Sequence, residues 1–433
     1  MKVLLLGLGR ANLNVARYLI ERGDDIYLYE ENLNNLSKES KMLIESGRIK
    51  EYEEIHYDLI ICSPGFPDSK PILKNLRARG LDIIDETEFT YNNLCDPNII
   101  AVTGTNGKST TAALISAILN EAGIRNFLGG NIAPGMPFSS ALFEKPYDYY
   151  IIEMSSFQLM RIKKFRPRVA ILTNITVDHL NWHQDLNEYI NAKKRIFMNQ
   201  TGEDFAILNY DDEKIRSMEK EINARSVFFG MRCYNGAWLN GMLHFQDDEI
   251  IHTDEIKLFG IHNRMNVLAA IAAVRILNIS NEDIRTGIKN FKPLPHRLED
   301  LGMINGIRYI NNSMSTNEAS AIASFQAVSG NKIVIVGGRA KGDRCEDYLK
   351  LLVEKAKAVV ILGENAKEIA EFFDNRQYKN YVIAKDMDEA IACARKFARE
   401  GDIIILNPGF ASFGHFRDFQ ERGEAFKNGV LKH

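Results

Sequence analysis

Apolar runs of strand length alternate with stretches of helical spacing along the whole chain. Near the N-terminus the runs are 2–6, 26–29, 59–62 and 83–84, with helical patterns up to about residue 22, over 71–79 and from 86. A second group has runs at 99–102, 149–154, 169–175 and 205–208 and helical patterns at 109–122 and 186–198. Within it, 128–132 reads as a glycine turn, 226–258 as short strands and turns, and Gly260 opens a helix reaching 277. The third group has strands at 307–310, 332–336, 359–362, 381–384 and 403–406, with helices near 348–356, 367–373 and 387–399. Runs that are apolar throughout belong to sheets covered on both faces, and their alternation with helices predicts parallel sheets with right-handed crossovers.

Polar, proline-containing breaks at Cys95-Asp96-Pro97-Asn98 and at Pro293 to His296 divide these groups. The expected architecture is α/β with three domains. These are a Rossmann-like N-terminal domain (1–94), a central P-loop ATPase-like parallel-sheet domain (95–295) and a C-terminal Rossmann-like α/β domain (296–433).

Composition narrows the function classes. The chain has 433 residues, 45% hydrophobic and 26% charged, with a net charge of −3. That charge exerts no general pull on nucleic acid or anionic membrane, so an anionic ligand must be held locally. The five cysteines have no paired spacing, which argues against a zinc site or disulfide framework and fits a reducing cytosol. No apolar run approaches the ~18 residues of a membrane span, and the first residues go straight into a strand with no leader pattern. The expectation is a cytoplasmic protein without nucleic-acid or membrane partners.

Candidate chemistry centres on Thr103-Gly104-Thr105-Asn106-Gly107-Lys108-Ser109-Thr110, between an apolar strand and a helix. There the loop's backbone N–H groups and the helix N-terminus would cradle phosphates. Lys108 would reach the β/γ-phosphates, and the Ser109 hydroxyl would bind Mg²⁺. Val102 stands where the usual pattern has its first glycine. A glycine turn capping a helix explains the glycines but not the adjacent Lys-Ser-Thr. Glu153, Asp178 and His179 fall at the ends of other strands of this group, which in a doubly wound sheet share one crevice. Glu153 is a hard oxygen donor suited to Mg²⁺; His179 is a less usual ligand. Nearer the N-terminus, Gly7-Leu8-Gly9 with Glu30 resembles a dinucleotide turn, but Asn12 replaces the third glycine. It reads as a turn for some nucleotide diphosphate, with the Ser63-Pro64-Gly65 loop beside it at the same sheet edge.

These motifs together resemble a known family. Residues 103–110 are similar to the ATP loop of the Mur ligases and their folylpolyglutamate synthetase relatives. Glu153-Met154-Ser155-Ser156-Phe157-Gln158-Leu159 resembles a signature of the branch that adds D-glutamate to UDP-N-acetylmuramoyl-L-alanine. Gly260-Ile261-His262-Asn263-Arg264-Met265-Asn266, His296-Arg297 and the loop from Asn311 to Asn317 extend the resemblance over essentially the whole chain.

The resemblance implies an ATP-dependent amide ligase of peptidoglycan-precursor synthesis, working through an acyl phosphate. Its catalytic residues would be Lys108, Glu153, His179 and Lys193. ATP would lie on Gly104, Thr105, Asn106, Gly107, Lys108, Ser109 and Thr110, with Asn263, Asn266, Arg297 and Asn312 around the nucleoside. The UDP-sugar would meet Leu8, Gly9, Arg10, Glu30, Asn131 and Ser155. D-Glutamate would meet Thr316, Lys341, Ser412 and Phe419. Two Mg²⁺ ions would be held by Ser109, Glu153, His179 and Lys193, the last as a carbamate. A monomer with small-molecule substrates is expected, with third-domain closure hinged near Pro293, Pro295 and His296.

The chain departs from the family where nucleotide and amino acid bind. Asn312 stands for an acid, Met314 for a lysine, and the final loop from Asn407 to Gly414 lacks the usual Ser, Cys and Asp. Retained activity with weaker nucleotide binding is expected. The competing readings are a sibling or folyl-type ligase, an NAD oxidoreductase built on Gly7-Leu8-Gly9, and a non-catalytic nucleotide-binding regulator. The oxidoreductase leaves Lys108, Glu153 and His179 without a role, and retention of those residues and Lys193 opposes the regulator.

Overall fold

The computed structural model describes residues 1–133, 135–176, 185–340, 345–412 and 414–432. Three sheets organise them. The first contains β1 (Lys2–Leu6), β2 (Asp25–Tyr29), β3 (Ile49–Glu51), β4 (Leu59–Cys62) and β5 (Ile83–Asp85) in the order β3-β2-β1-β4-β5. All its pairs are parallel. The chain leaves β1 toward β2 and returns to β4 on the other side, so the crevice at the carboxyl ends of β1 and β4 is a topological switch point.

The second sheet contains β6 (Ile99–Thr103), β7 (Asn126–Gly130), β8 (Tyr149–Glu153), β9 (Val169–Leu172), β10 (Phe205–Asn209), β11 (Arg225–Phe229), β12 (Ala237–Leu239), β13 (Met242–Phe245) and β14 (Asp248–His252). The order is β14-β13-β12-β11-β10-β9-β6-β8-β7, which puts β6 between β8 and β9. Every residue of β6 and β9 is buried, as their unbroken apolar runs require. The third sheet has β15 (Glu299–Ile304), β16 (Ile307–Asn311), β17 (Lys332–Val336), β18 (Ala358–Ile361), β19 (Tyr381–Ile383) and β20 (Ile403–Leu406) in the order β15-β16-β20-β17-β18-β19.

The chain packs as two compact units, Met1–Ile256 with Met265–Asn290, and Lys257–Arg264 with Phe291–His433. The first two sheets share the first unit, and the segment from Lys257 to Arg264 belongs to the second.

Several local expectations change. The apolar run 169–175 stays in the sheet only to Leu172, because Thr173 and Asn174 turn to bond the phosphate loop. Residues 126–130, read in part as a glycine turn, form edge strand β7, paired parallel to β8. The helix expected over 186–198 is α-helical at Leu186–Lys194 and tightens to a 3-10 turn at Arg195–Phe197. The second and third sheets are not parallel throughout: β12, β13 and β14 pair antiparallel, as do β15 and β16.

Candidate active site

The phosphate loop is fixed from beneath by β9 and its continuation. Thr173 Oγ1 donates to the Asn106 carbonyl at 2.7 Å, Asn174 Nδ2 donates to the same carbonyl at 2.9 Å, and Asn174 Oδ1 accepts from the Asn106 N–H at 2.8 Å. Gly104 and Gly107 have no alternative. A Cβ on Gly104 would lie 1.9 Å from Thr173 Oγ1, and one on Gly107 would lie 2.2 Å from Asn266 Oδ1, at backbone φ of +146° and +85°. The helix Lys108–Glu121 opens directly after Gly107 with no side-chain cap, leaving its first N–H groups facing the loop. Lys108 folds back, donating from Nζ to the carbonyls of Gly104 at 3.0 Å and Thr105 at 2.8 Å.

The registers of β6, β8 and β9 set Glu153 beside this loop, since Val102 pairs with Glu153 and Thr103 with Leu172. The Glu153 side chain is buried, with Oε2 accepting from the Ser109 hydroxyl and Oε1 from Asn131 Nδ2 at 3.0 Å. Lys193 is only 2% exposed; its Nζ donates to the Gly104 carbonyl at 2.7 Å and stands 4.5 Å from the Tyr189 ring centre. The Tyr189 hydroxyl in turn lies 3.1 Å from Thr105 Oγ1. Lys108, Ser109, Glu153, Asn131 and Lys193 therefore converge on one loop. Asp178 and His179 lie outside the described residues.

Of the expected sugar-nucleotide residues, Leu8, Gly9, Arg10 and Glu30 lie around the carboxyl end of β1, whereas Asn131 is bonded to Glu153 beside the phosphate loop. The Leu8 N–H donates to Glu30 Oε2 at 3.2 Å, and Arg10 Nη2 donates to the Gly135 carbonyl at 2.5 Å. Asn12, in place of a third glycine, is buried and donates to the Gly7 carbonyl at 2.8 Å, fastening the turn through its side chain. Ser155 has a different local task. It caps the short helix Ser156–Leu159 in a reciprocal capping box with Gln158.

In the second unit, Asn263 donates to the Phe259 carbonyl at 2.8 Å. Asn312 is buried, donating to Asn407 Oδ1 at 2.8 Å and accepting from the Leu298 N–H at 3.0 Å. Burial pushes the neighbouring motif histidine, His262, down to about 4, so it is neutral near pH 7. Ser412 is buried, and the Phe419 carbonyl accepts from the Ser313 hydroxyl at 2.7 Å. Thr316 is half-buried in the loop ahead of the Asn317-capped helix Glu318–Ala327, and Arg297 lies at the start of this unit. Lys341 lies outside the described residues.

Sequence reasoning passed over Thr173, Asn174, Arg161 and Arg422. The polar pair ending the apolar run 169–172 was the available signal for the first two. Arg422 is buried against neutral acceptors, the Ser313 hydroxyl and the carbonyls of Ser313, Phe410 and Gly337, and burial pushes it down to about 9.

Comparison with known proteins finds three family models in succession along the chain. A MurD-like Mur ligase N-terminal domain matches residues 1–85, the Mur ligase middle domain 102–274, and the Mur ligase glutamate ligase domain 296–410. The chain is 36% identical to UDP-N-acetylmuramoylalanine–D-glutamate ligase of Alkaliphilus metalliredigens, covering 98% of this chain and 97% of that one. It is 34% identical to the enzyme of the same name from Clostridioides difficile, covering 99% and 98%. Among solved structures it resembles the MurC ligase of Thermotoga maritima, with a TM-score of 0.63 at 19% identity over 100% of this chain and 99% of that one. It also resembles the MurF ligase of Thermotoga maritima in complex with ADP, with a TM-score of 0.62 at 16% identity over 92% and 94%. With three domain models in order along its length and near full-length relatives above 30% identity, the chain belongs to the Mur ligase family.

Proposed function

We propose that this chain joins D-glutamate to UDP-N-acetylmuramoyl-L-alanine at the expense of ATP, in a cytoplasmic step of cell-wall precursor synthesis. The observation that carries the reading is the convergence of Lys108, Ser109, Glu153 and Lys193 on one glycine loop, in a chain matched over almost its full length by D-glutamate ligases. Domains bounded near residues 94/95 and 295/296 would supply the sugar-nucleotide, ATP and amino-acid sites respectively. The working form is a monomer with small-molecule substrates.

Lys108, now bonded to the carbonyls of Gly104 and Thr105, is placed to swing onto the β/γ-phosphates. The open first turn of the helix and the loop N–H groups orient the triphosphate. The acceptor carboxylate then attacks the γ-phosphorus in line and ADP leaves. The D-glutamate amine next attacks the acyl carbon, and phosphate departs as the amide forms. Catalysis here is chiefly positioning plus charge stabilisation. Ser109 and Glu153 are hard oxygen donors on adjoining elements with Asn131 orienting the carboxylate, a set that fits Mg²⁺. Those residues would hold the ion, which when bound neutralises charge on the transferring phosphoryl group. Lys193 as a carbamate would add a second anionic oxygen pair to the set, with His179 completing it. Leu8, Gly9, Arg10 and Glu30 would hold the uridine diphosphate end. Thr316, Lys341, Ser412 and Phe419 would hold D-glutamate.

Phosphate release tests this reading. Purified protein with Mg-ATP should release phosphate only when UDP-N-acetylmuramoyl-L-alanine and D-glutamate are both present, and not with L-glutamate. Release with another amino acid in place of D-glutamate overturns the assigned substrate, and no release with any combination overturns the ligase.

A further inference from the structure

The segment that follows the strand carrying Glu153 touches the loop after β4. After Glu153 the chain makes the capped helix Ser156–Leu159, and the next turn delivers Arg161, whose N–H donates to the Gln158 carbonyl at 3.0 Å. The Arg161 side chain is 3% exposed. Its guanidinium grips a loop of the first sheet: Nη1 donates to the Ser63 carbonyl at 3.0 Å, and Nη2 donates to the Phe66 carbonyl at 2.6 Å and to Asp68 Oδ1 at 3.0 Å. Asp68 also accepts from Arg77 Nη2 at 2.8 Å, so the carboxylate is shared by two guanidinium groups.

That loop follows β4 and abuts the Gly7–Gly9 turn. A Cβ on Gly7 would lie 3.3 Å from the Ser63 Cβ, and one on Gly9 would lie 3.6 Å from the Ser63 hydroxyl. With the carbonyls of Ser63 and Phe66 drawn inward by Arg161, the intervening Gly65 is exposed and has nothing within 4 Å of its Cβ position. The loop is thus held open-side-out at the switch point where a nucleoside diphosphate docks. A planar guanidinium divides these three bonds between two nitrogens in a fixed fork, whereas an ammonium offers its three donors from a single point.

We propose that Arg161 is a positioning residue for the nucleoside diphosphate of the acceptor. It sets the Ser63–Asp68 loop against the Gly7–Gly9 turn, and it ties that loop to the strand bearing Glu153. The proposal rests on the sugar-nucleotide reading above and makes a residue from the segment between β8 and β9 the support of the recognition loop.

Steady-state kinetics on the full chain test it, with isothermal titration of UDP in the absence of ATP as a second readout. In R161M the KM for UDP-N-acetylmuramoyl-L-alanine and the Kd for UDP should both rise tenfold or more, while the KM for ATP stays within twofold. R161K, which keeps the charge opposite Asp68 but loses the forked grip, should rise several-fold, as should D68N; these carry the test should R161M fail to fold. A merely structural role would lower the active fraction and shift every KM alike, or none, and that result overturns the proposal. If the native chain turns over the sugar nucleotide normally and all three variants keep the native KM for it, this inference alone falls. If the native chain neither binds UDP nor uses the sugar nucleotide, the functional reading falls and this one with it.

Discussion

The Ser109 hydroxyl donates to one oxygen of the Glu153 carboxylate, joining the first turn of the phosphate-loop helix to the carboxyl end of the neighbouring strand. The other oxygen accepts from Asn131, so the protein's own side chains hold the carboxylate at both ends. A cation placed between the two oxygen donors would replace one hydrogen bond by a stronger electrostatic contact, at little reorganisation cost.

Glu153→Gln separates charge from shape. The amide can still accept from Ser109, so the fold and thermal stability should stay close to native. Phosphate release should fall on the order of 10²–10³-fold, with a raised Mg²⁺ requirement. Release within threefold of native in a Mg²⁺ titration would show that the carboxylate is structural.

Asp85 caps the helix Glu86–Asn93, its Oδ1 accepting from the N–H groups of Thr87 and Glu88, each at 3.1 Å. Its Oδ2 is buried without a partner among the described residues, and burial pushes the carboxyl from 3.8 up to about 7. A carboxyl raised in the folded state holds its proton where the unfolded chain has lost it. Its stabilising contribution is therefore complete below pH 3.8 and is lost as pH rises to about 7. Asp85→Asn keeps the cap and removes the titration. The difference in stability between variant and native should shift in the variant's favour by about 3 kcal/mol between pH 4 and pH 7. Parallel denaturation curves at the two pH values would refute the assignment.

The legible parts of this chain were those where one physical pattern has one structural outcome. Apolar runs such as 3–6, 59–62, 333–336 and 403–406 form largely buried strands with the expected carboxyl ends. Glycines before Lys108 became a loop because no Cβ fits there. Harder to read were elements whose identity depends on distant partners. The strand Asn126–Gly130 looks like a turn until β8 supplies its ladder, and Ile49–Glu51 is too short and polar to declare itself without β2. The helices Asn281–Asn290, Glu318–Ala327 and Phe419–Leu431 carry polar residues inside their turns that dilute the apolar periodicity, although Asn317 and Asp418 cap the last two. Arg161 and Asn174 follow signatures rather than sit in them, and their partners are 98 and 68 residues away in sequence.

Lys193 is buried with its nitrogen on the Gly104 carbonyl, so any change in its charge is felt directly by the phosphate loop. Carbamylation would convert a cation into an anion with two oxygens. Peptide mass analysis after mild trapping in bicarbonate at neutral pH should find one added CO₂ on Lys193, and activity should rise with bicarbonate. Lys193→Arg keeps the positive charge but cannot carry the carbamate, and should lose on the order of 10²-fold in kcat. An unmodified lysine together with a fully active arginine variant would rule the carbamate out.

Asn312 and Met314 are the two positions at which the resemblance to the Mur ligases implies an acid and a lysine. Asn312 is committed within its own unit, to Asn407 and to the Leu298 N–H, so its side chain serves the loop's internal geometry. Met314 is half-buried, its N–H donating to the His296 carbonyl at 3.0 Å, and its thioether offers no charge to a nucleotide. A lysine has nearly the same reach along an unbranched stem, and its ammonium can ride at the surface while the methylenes keep the packing. Met314→Lys should therefore leave stability unchanged and tighten ATP about tenfold, the worth of one charge-assisted contact to a phosphate. The gain should shrink at high salt, as expected for a partly exposed ion pair. Calorimetric titration of ATP into the variant at two ionic strengths checks both parts. An equal or weaker Kd at low salt would mean that position 314 does not face the nucleotide, and the departures in this loop would then bear on the amino acid instead.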